Sequence, residues 1–302
     1  MQITELSYWE QKELFGGLDF LIIGTGLVGL SAAHQLNLLH PKAKILLLEK
    51  ANLPTGASSK NAGFTCFGSP SELLSDLKSE PTDQVWQTVK KRYEGVGFLK
   101  DWLGEKNMGY KNLGSLDLTL PSSEISPEEI ADNLTLINAG YFEATGNKNV
   151  CNSDFSSLKT NGLMGFTGAF YNRLEGQIDT GKMYYHARHR ILKQRNLNIL
   201  SGVDVKSFEQ LSQSVVIDTS IGEISTKNLL LASNGFSSTL LPKEDISPAR
   251  AQVLISERIE NLKLKGTFHL DSGYYYFREI DNRVLLGGGR NLDIQGLSLI
   301  HI

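Results

Sequence analysis

The sequence predicts an α/β protein in which a parallel sheet forms one domain and a mostly antiparallel sheet forms a second, α+β domain. Three observations near the start of the chain support the first domain. Residues 18–23 are an apolar, β-branched run, typical of a strand buried on both faces. A glycine-rich turn and a helical pattern that extends to residue 39 follow, and the apolar run at 44–48 predicts a second strand. Strand, helix and strand in this order predict a βαβ unit.

The glycines of the turn lie at Gly24, Gly26 and Gly29, the spacing of a G-x-G-x-x-G fingerprint. Gly24 permits the tight turn, Gly26 lets the backbone approach a pyrophosphate, and Gly29 lets the helix pack closely on the strand. The first backbone N–H groups of the helix, at Leu27 and Val28, then face the phosphates. The pattern predicts a Rossmann-like dinucleotide-binding domain; the alternative is a buried glycine turn in an unliganded α/β fold.

An acidic residue ends the second predicted strand. Glu49 follows Gly24 at close to the roughly 20-residue separation that is typical of the ribose-binding acid in this kind of site. Its carboxylate can accept hydrogen bonds from ribose hydroxyls and would repel a 2′-phosphate. We therefore assign Glu49 and its neighbour Lys50 to the dinucleotide site.

Length, composition and charge exclude several classes of protein. The 302 residues are long enough for two cores, and 40% hydrophobic with 21% charged residues is typical of a globular enzyme. A net charge of −3 without a basic stripe argues against nucleic-acid binding. Two cysteines predict no disulfide framework and suit a reducing compartment. No signal peptide or membrane span is predicted, so we expect a cytoplasmic protein without stable membrane insertion.

A segment of small residues, GASSKNAG at 56–63, follows the predicted acid. Together with the glycine turn and Glu49, it resembles the D-amino-acid-oxidase-like family of FAD-dependent oxidoreductases, which includes glycine and sarcosine oxidases. In that family the matching segment runs beside the pyrophosphate and the isoalloxazine, and nicotinamide-dependent Rossmann enzymes lack it at this place. The resemblance therefore implies FAD as the cofactor. The residues it assigns to FAD binding here are Ser58, Ser59, Asn61, Ala62 and Gly63.

The resemblance extends to the middle of the chain. In the family, the valine that matches Val205 contacts the adenine half of FAD through its backbone. The strand that ends in Ala232-Ser233-Asn234-Gly235 matches a family strand whose end brings the backbone close to the pyrophosphate of FAD. The resemblance therefore assigns Ala232, Asn234 and Gly235 to the FAD site. The implied boundaries are 1–80 and 168–241 for the FAD-binding domain. Residues 81–167 and 242–302 then form the substrate domain.

The resemblance also implies the chemistry: the flavin accepts a hydride equivalent from the carbon beside an amine nitrogen, and oxygen or a quinone reoxidises it. The implied substrate is a small amine or amino acid. In the family an aromatic residue of the substrate-domain sheet faces the flavin, and an arginine often binds the substrate carboxylate. Tyr274, Tyr276, Arg278 and Arg290 lie on a matching stretch. For each of them the alternative is an ordinary residue on a sheet face.

Other interpretations stay open at this point. Glu49 alone also permits an NAD-linked dehydrogenase, and the chain could be a non-catalytic flavin-binding protein or an inactive fragment. Family members continue into a segment with a carboxylate-binding arginine that this chain does not reach, so we expect a C-terminal truncation. Gly287-Gly288-Gly289 predicts a turn beside a neighbour or ligand. His186 and His189 lack an acidic or cysteine partner at ligand spacing, so no metal site is predicted.

Overall fold

The computed structural model describes residues 2–53, 56–246 and 252–289. The chain divides into two units, the first from Met1–Lys60 and Thr180–Pro248, the second from Asn61–Asp179 and Ala249–Ile302. Each unit is therefore built from two separate stretches of chain. Which unit binds the cofactor and which binds the substrate stays a prediction.

The unit boundaries lie elsewhere than the domain boundaries assigned from the sequence. Residues 61–80 and 168–179 belong to the second unit. The reason is backbone pairing: Phe64 and Thr65 pair with Gln177 and Gly176. Gln177 in turn exchanges two backbone hydrogen bonds with Lys111 of the same unit.

Helices and strands alternate along most of the chain. The α-helices are α1 Tyr8–Phe15, α2 Leu27–Leu39, α3 Ala57–Lys60, α4 Pro70–Ser79, α5 Thr82–Leu103, α6 Glu105–Met108, α7 Pro127–Thr145, α8 Ser156–Asn161 and α9 Thr180–Leu192. The strands are β1 Leu18–Ile23, β2 Ile45–Glu49, β3 Phe64–Thr65, β4 Ser115–Thr119, β5 Cys151–Ser153, β6 Gly168–Asn172, β7 Gly176–Gln177, β8 Leu197–Ser201, β9 Val205–Gln210, β10 Val215–Thr219, β11 Gly222–Leu231, β12 Gln252–Ile255, β13 Thr267–Leu270, β14 Tyr275–Ile280 and β15 Arg283–Gly288. Within the described ranges, no helix has the length and apolar character needed to cross a bilayer.

The first unit contains a six-stranded sheet in the order β8-β2-β1-β11-β10-β9. Strands β8, β2, β1 and β11, which are neighbours in this order, run parallel to one another. Strands β10 and β9 extend the sheet beyond β11 in antiparallel pairs. Leu21, Leu46 and Leu48 are buried in its core, as expected for strands covered on both faces. Strand β1 pairs with β2, the next strand along the chain, on one edge and with β11 on its other edge. In open parallel sheets, such a switch point at the carboxyl ends of the strands is where ligands bind.

The second unit contains a seven-stranded sheet in the order β12-β15-β14-β13-β4-β6-β5, in which only the β13–β4 pair of the described strands is parallel. A parallel sheet in one unit and a mostly antiparallel sheet in the other confirm the predicted fold class. One face of the second sheet buries Leu116, Leu118 and Phe268. Because side chains alternate along each strand, the opposite face carries the intervening residues, which are largely polar.

Candidate functional site

The glycine turn at the carboxyl end of β1 leaves no room for side chains at two positions. Gly24 has φ +104°, and a Cβ there would lie 2.5 Å from the carbonyl oxygen of Ala232. A Cβ on Gly29 would lie 2.0 Å from the carbonyl oxygen of Gly24. At Gly26, by contrast, an added Cβ would meet only one described heavy atom within 4 Å, apart from those of its chain neighbours. This atom is the Ser58 hydroxyl oxygen, at 3.2 Å. Two glycines therefore close the turn, and the third leaves its backbone approachable.

The small-residue segment contacts this turn through Ser58. The backbone N–H of Leu27, the first residue of α2, donates to the Ser58 hydroxyl at 2.8 Å. Ser59 closes a short turn onto the carbonyl of Gly56, and Val28 at the same helix end is 68% exposed. The Ser58 hydroxyl therefore joins the small-residue segment to the N-terminus of α2.

Glu49 is fixed beside the turn by Thr25. Its Oε2 accepts from the Thr25 hydroxyl at 2.6 Å and from the Thr25 N–H at 3.2 Å, and its Oε1 accepts from the Ala51 N–H at 3.2 Å. Thr25 is itself buried, and the Tyr184 hydroxyl donates to its carbonyl oxygen at 3.0 Å. Since each carboxylate oxygen has two lone pairs, this anchored carboxylate keeps the capacity to accept from ribose hydroxyls.

The segment before β9 lies against the end of β2. The N–H of Val203 donates to the carbonyl oxygen of Glu49 at 3.0 Å, and Lys50 forms an exposed ion pair with Asp204 at 3.1 Å. Val205 follows as the half-buried first residue of β9. The sequence-assigned residues Glu49, Lys50 and Val205 are therefore brought together in the first unit.

The end of β11 lies against the glycine turn. Ala232 donates its N–H to the carbonyl oxygen of Ile23 at 2.8 Å, and its own carbonyl approaches Gly24. A short 3-10 helix, Asn234–Thr239, then begins with Asn234 at φ +52° and contains Gly235. All of these contacts lie within one unit, at the carboxyl ends of β1, β2 and β11.

The last three assigned residues of the small-residue segment lie in the second unit. Asn61 accepts the N–H of Gly63 on its Oδ1 at 2.9 Å, and Ala62 is buried. Arg278, only 3% exposed, donates from Nη1 to the carbonyl oxygens of Gly63 and Ile178, both at 2.9 Å. Its Nε finds no acceptor among the described residues. The guanidinium is therefore engaged with backbone rather than placed on a solvated sheet face.

The two tyrosines assigned to the substrate site differ in position. Tyr276 lies inside β14, and its ring contacts that of Phe64 edge-on at a centroid distance of 5.3 Å. Tyr274 precedes the strand in a turn and is 39% exposed. Its carbonyl oxygen accepts from the N–H of Gly289 at 3.1 Å. Arg290 lies outside the described residues.

Glycine creates the space that the Tyr276 ring occupies. Gly287 lies directly opposite Tyr276 on β15, and a Cβ there would lie 2.3 Å from the Cε2 atom of the ring. Gly288 has φ +133°, and a Cβ on it would meet the carbonyl oxygen of Tyr274 at 2.3 Å. The prediction of a turn at these glycines was wrong, because Gly287 and Gly288 end strand β15, but they do lie beside a neighbour: they leave room for the tyrosines of β14.

A buried acid–histidine group lies on the face of the second sheet that carries Tyr276. It was not identified from the sequence. Glu175 accepts on Oε1 from the N–H groups of Phe67, at 2.7 Å, and Gly68, at 3.2 Å. Its Oε2 lies 3.3 Å from His269 Nε2, and both side chains are buried. Asp117 lies opposite His269 in the β4–β13 pair and is held by the N–H and hydroxyl of Ser71.

The charges of this group follow from burial and pairing. Burial alone would raise the pKa of Glu175 and lower that of His269, but the attraction between the two groups at 3.3 Å outweighs it. The pKa of the Glu175 carboxyl is therefore lowered and that of the His269 imidazole raised, which favours an ion pair. Burial raises the pKa of Asp117 to about 6, despite the bonds from Ser71 and the charge of the neighbouring His269. The alternation of β4 puts Asp117 on the face opposite Leu116 and Leu118, so the pattern carries no signal that this carboxyl is buried.

The comparisons with known proteins place the chain in a family. Residues 19–298 match the model of the FAD dependent oxidoreductases, DAO. A curated relative, the "Probable oxidoreductase OrdL" of Rhizobium meliloti (strain 1021), is 24% identical over 287 residues, which are 90% of this chain. The chain spans only 64% of that relative's length.

Several solved structures share the fold. Glycine oxidase from Geobacillus kaustophilus has a TM-score of 0.66 at 17% identity over 90% of this chain and 72% of its own. L-proline dehydrogenase from P. horikoshii has a TM-score of 0.66 at 15% identity, over 90% and 69%. L-amino acid deaminase from Proteus myxofaciens has 0.66 at 17%, over 89% and 58%. The family match confirms the predicted resemblance and its cofactor, FAD: this chain belongs to the DAO family of FAD-dependent oxidoreductases.

Proposed function

We propose that this protein oxidises the C–N bond of a small amine or amino acid to an imine, with FAD held by the first unit. The observation that carries the proposal is the closed glycine turn, with Ser58 joined to the start of α2. Amino-acid chemistry is favoured because similar structures are named for glycine, L-proline and L-amino acids.

The residues at the turn suit the two ends of an ADP moiety. The Val28 N–H and the helix dipole at the start of α2 favour a pyrophosphate, while the Leu27 N–H donates to the Ser58 hydroxyl that borders the same place. The anchored carboxylate of Glu49 suits ribose hydroxyls, and Gly26 adds no side chain that would obstruct the approach. Lys50, Ser59, Val205, Ala232, Asn234 and Gly235 are proposed to complete the surround, together with Asn61, Ala62 and Gly63.

Bound FAD supplies the hydride acceptor, and the protein contributes binding and orientation. Tyr276 and Tyr274 are the proposed substrate-facing side chains. The ring of Tyr276 is fixed between Phe64 and the bare backbone of Gly287, so it enters the reaction already oriented. Pre-organisation of this kind lowers the entropic cost of aligning the amine.

Anaerobic reduction of the loaded protein tests the proposed reaction. Amines and amino acids, including glycine, sarcosine and L-proline, are added singly to the FAD-loaded protein without oxygen. We expect at least one to bleach the flavin band at about 450 nm, and oxygen or a quinone to restore it. Bleaching by NADH but by no amine would contradict the proposal.

Gly287→Ala is expected to lower kcat/KM for the bleaching amine by about 10-fold, with FAD affinity unchanged. The backbone at Gly287 does not have a positive φ, so alanine fits it, but the new Cβ would displace the Tyr276 ring. The measurement is steady-state kinetics beside an FAD titration.

Gly97→Ala is the matched control, because among the described residues nothing lies within 4 Å of a Cβ added there. It should leave both parameters as in the parent protein. Full kcat/KM in Gly287→Ala would show that the fixed tyrosine has no part in substrate handling.

A further inference from the structure

Arg278 acts where the chain enters and leaves the second unit. The chain enters this unit at Asn61 and leaves it after Asp179. The two carbonyl oxygens bound by Arg278 Nη1 belong to Gly63 and Ile178, which lie two and one residues from those ends. The contacts span 215 and 100 residues of sequence. A single buried side chain therefore links both ends of this part of the unit.

The same two segments form a short ribbon that Arg278 closes. Strands β3 and β7 pair through Phe64–Gln177 and Thr65–Gly176. The N–H of Ile178 adds one more rung by donating to the Gly63 carbonyl oxygen at 2.8 Å. Arg278 donates to the same Gly63 oxygen and to the carbonyl oxygen of Ile178, and so closes this end of the ribbon.

Gly63 is adapted to this junction. It has φ +72°, and a Cβ on it would lie 2.5 Å from the Ile178 oxygen and 3.1 Å from Arg278 Nη1. Nη1 carries two hydrogens, and both face carbonyl oxygens. A two-pronged grip on a carboxylate needs a donor from each of two nitrogens, so one that uses Nη1 is excluded. The other edge of the guanidinium, through Nε and Nη2, is closed to a ligand by burial, because Arg278 is only 3% exposed and its Nε is itself buried.

We propose that Arg278 is a positioning residue, which fixes the Asn61–Gly63 and Ile178–Asp179 segments, and that it does not bind the substrate carboxylate. The proposal rests on the proposed function, in which Asn61–Gly63 contacts FAD. Carboxylate recognition, where the substrate has one, then comes from another residue.

The test compares Arg278→Met, which removes the donors, with Arg278→Lys, which keeps a cationic donor at the end of a long side chain. Hydrogen exchange of the 176–179 peptide is measured in FAD-free protein. Arg278→Met should exchange at least about 10-fold faster than the parent and bind FAD at least about 10-fold more weakly. Arg278→Lys should stay within about 3-fold of the parent in both measurements.

Unchanged exchange and FAD affinity in Arg278→Met would overturn the proposal. So would a KM that rises about 100-fold in Arg278→Lys for a carboxylate-bearing amine but not for an amine without a carboxylate, because lysine cannot reproduce the arginine fork. If Arg278→Met does not fold, the lysine variant decides alone by this KM comparison. Parent protein that binds no FAD would refute the proposed function, while the exchange result stands without cofactor.

Discussion

Gly29→Ala is expected to weaken FAD binding at least about 100-fold, equivalent to about 3 kcal/mol. The helical backbone at Gly29 accepts alanine, so the effect comes from space. The added Cβ would lie 2.0 Å from the Gly24 oxygen and 3.4 Å from Ile22 Cγ2. Since the oxygen belongs to the backbone, the turn or the start of α2 has to move. Either movement displaces the N–H groups proposed to face the pyrophosphate.

Gly95→Ala is the control for this substitution. Gly95 also lies inside a helix, α5, but a Cβ there meets no atom within 4 Å in the part of the chain that the structure describes. It should leave FAD binding unchanged and stabilise the protein by up to about 1 kcal/mol. Quenching of flavin fluorescence on titration gives the affinities. Binding by Gly29→Ala within a few-fold of the parent would show that the close packing of this turn is not needed for the cofactor.

Glu175→Ala is expected to lower the free energy of unfolding by about 3–5 kcal/mol. The change leaves His269 buried without its carboxylate partner, and it removes the acceptor of the Phe67 and Gly68 N–H groups. An uncompensated buried cation and unsatisfied donors are both costly. Urea unfolding at fixed pH measures the loss. As a control, Glu94→Ala removes one partner of an exposed ion pair with Lys90 and should cost less than about 1 kcal/mol.

The pH dependence of the Glu175 effect has a defined sign. The lowered pKa of Glu175 contributes stability above its unfolded value of 4.5, which is lost as pH falls through the folded pKa. The raised pKa of His269 contributes stability below its unfolded value of 6.5, which is lost as pH rises through the folded pKa. The difference between parent and Glu175→Ala should therefore be largest between these two values. A difference that is small there and grows at alkaline pH would refute the ion pair.

The opening βαβ unit could be predicted because its signals are local. The strand at 18–23, the glycine spacing and the acid at Glu49 all lie within about one supersecondary motif. The structure places them together, and it adds Thr25, which holds the Glu49 carboxylate through both its hydroxyl and its N–H. The spacing of the glycines and of Glu49 along the sequence does not specify this side-chain contact, because the contact depends on where the two side chains lie in space.

The second unit was less predictable because its key contacts join distant segments. Glu175, His269 and Asp117 come from three separate parts of the chain and meet only through the sheet and its adjoining loops. The resemblance assigned Arg278 a substrate role, whereas its Nη1 partners are backbone carbonyls 100 and 215 residues away. Tyr274 was assigned to the substrate-domain sheet together with Tyr276, but the strand begins at Tyr275 and Tyr274 precedes it.

The visible absorption spectrum of the protein, recorded after FAD loading and desalting, tests most directly whether the first unit holds the cofactor at its glycine turn. The prediction is a flavin band at about 450 nm that corresponds to about one FAD per chain, and its loss in Gly29→Ala but not in Gly95→Ala. Parent protein that elutes without the band, or a band retained equally in Gly29→Ala, would contradict it.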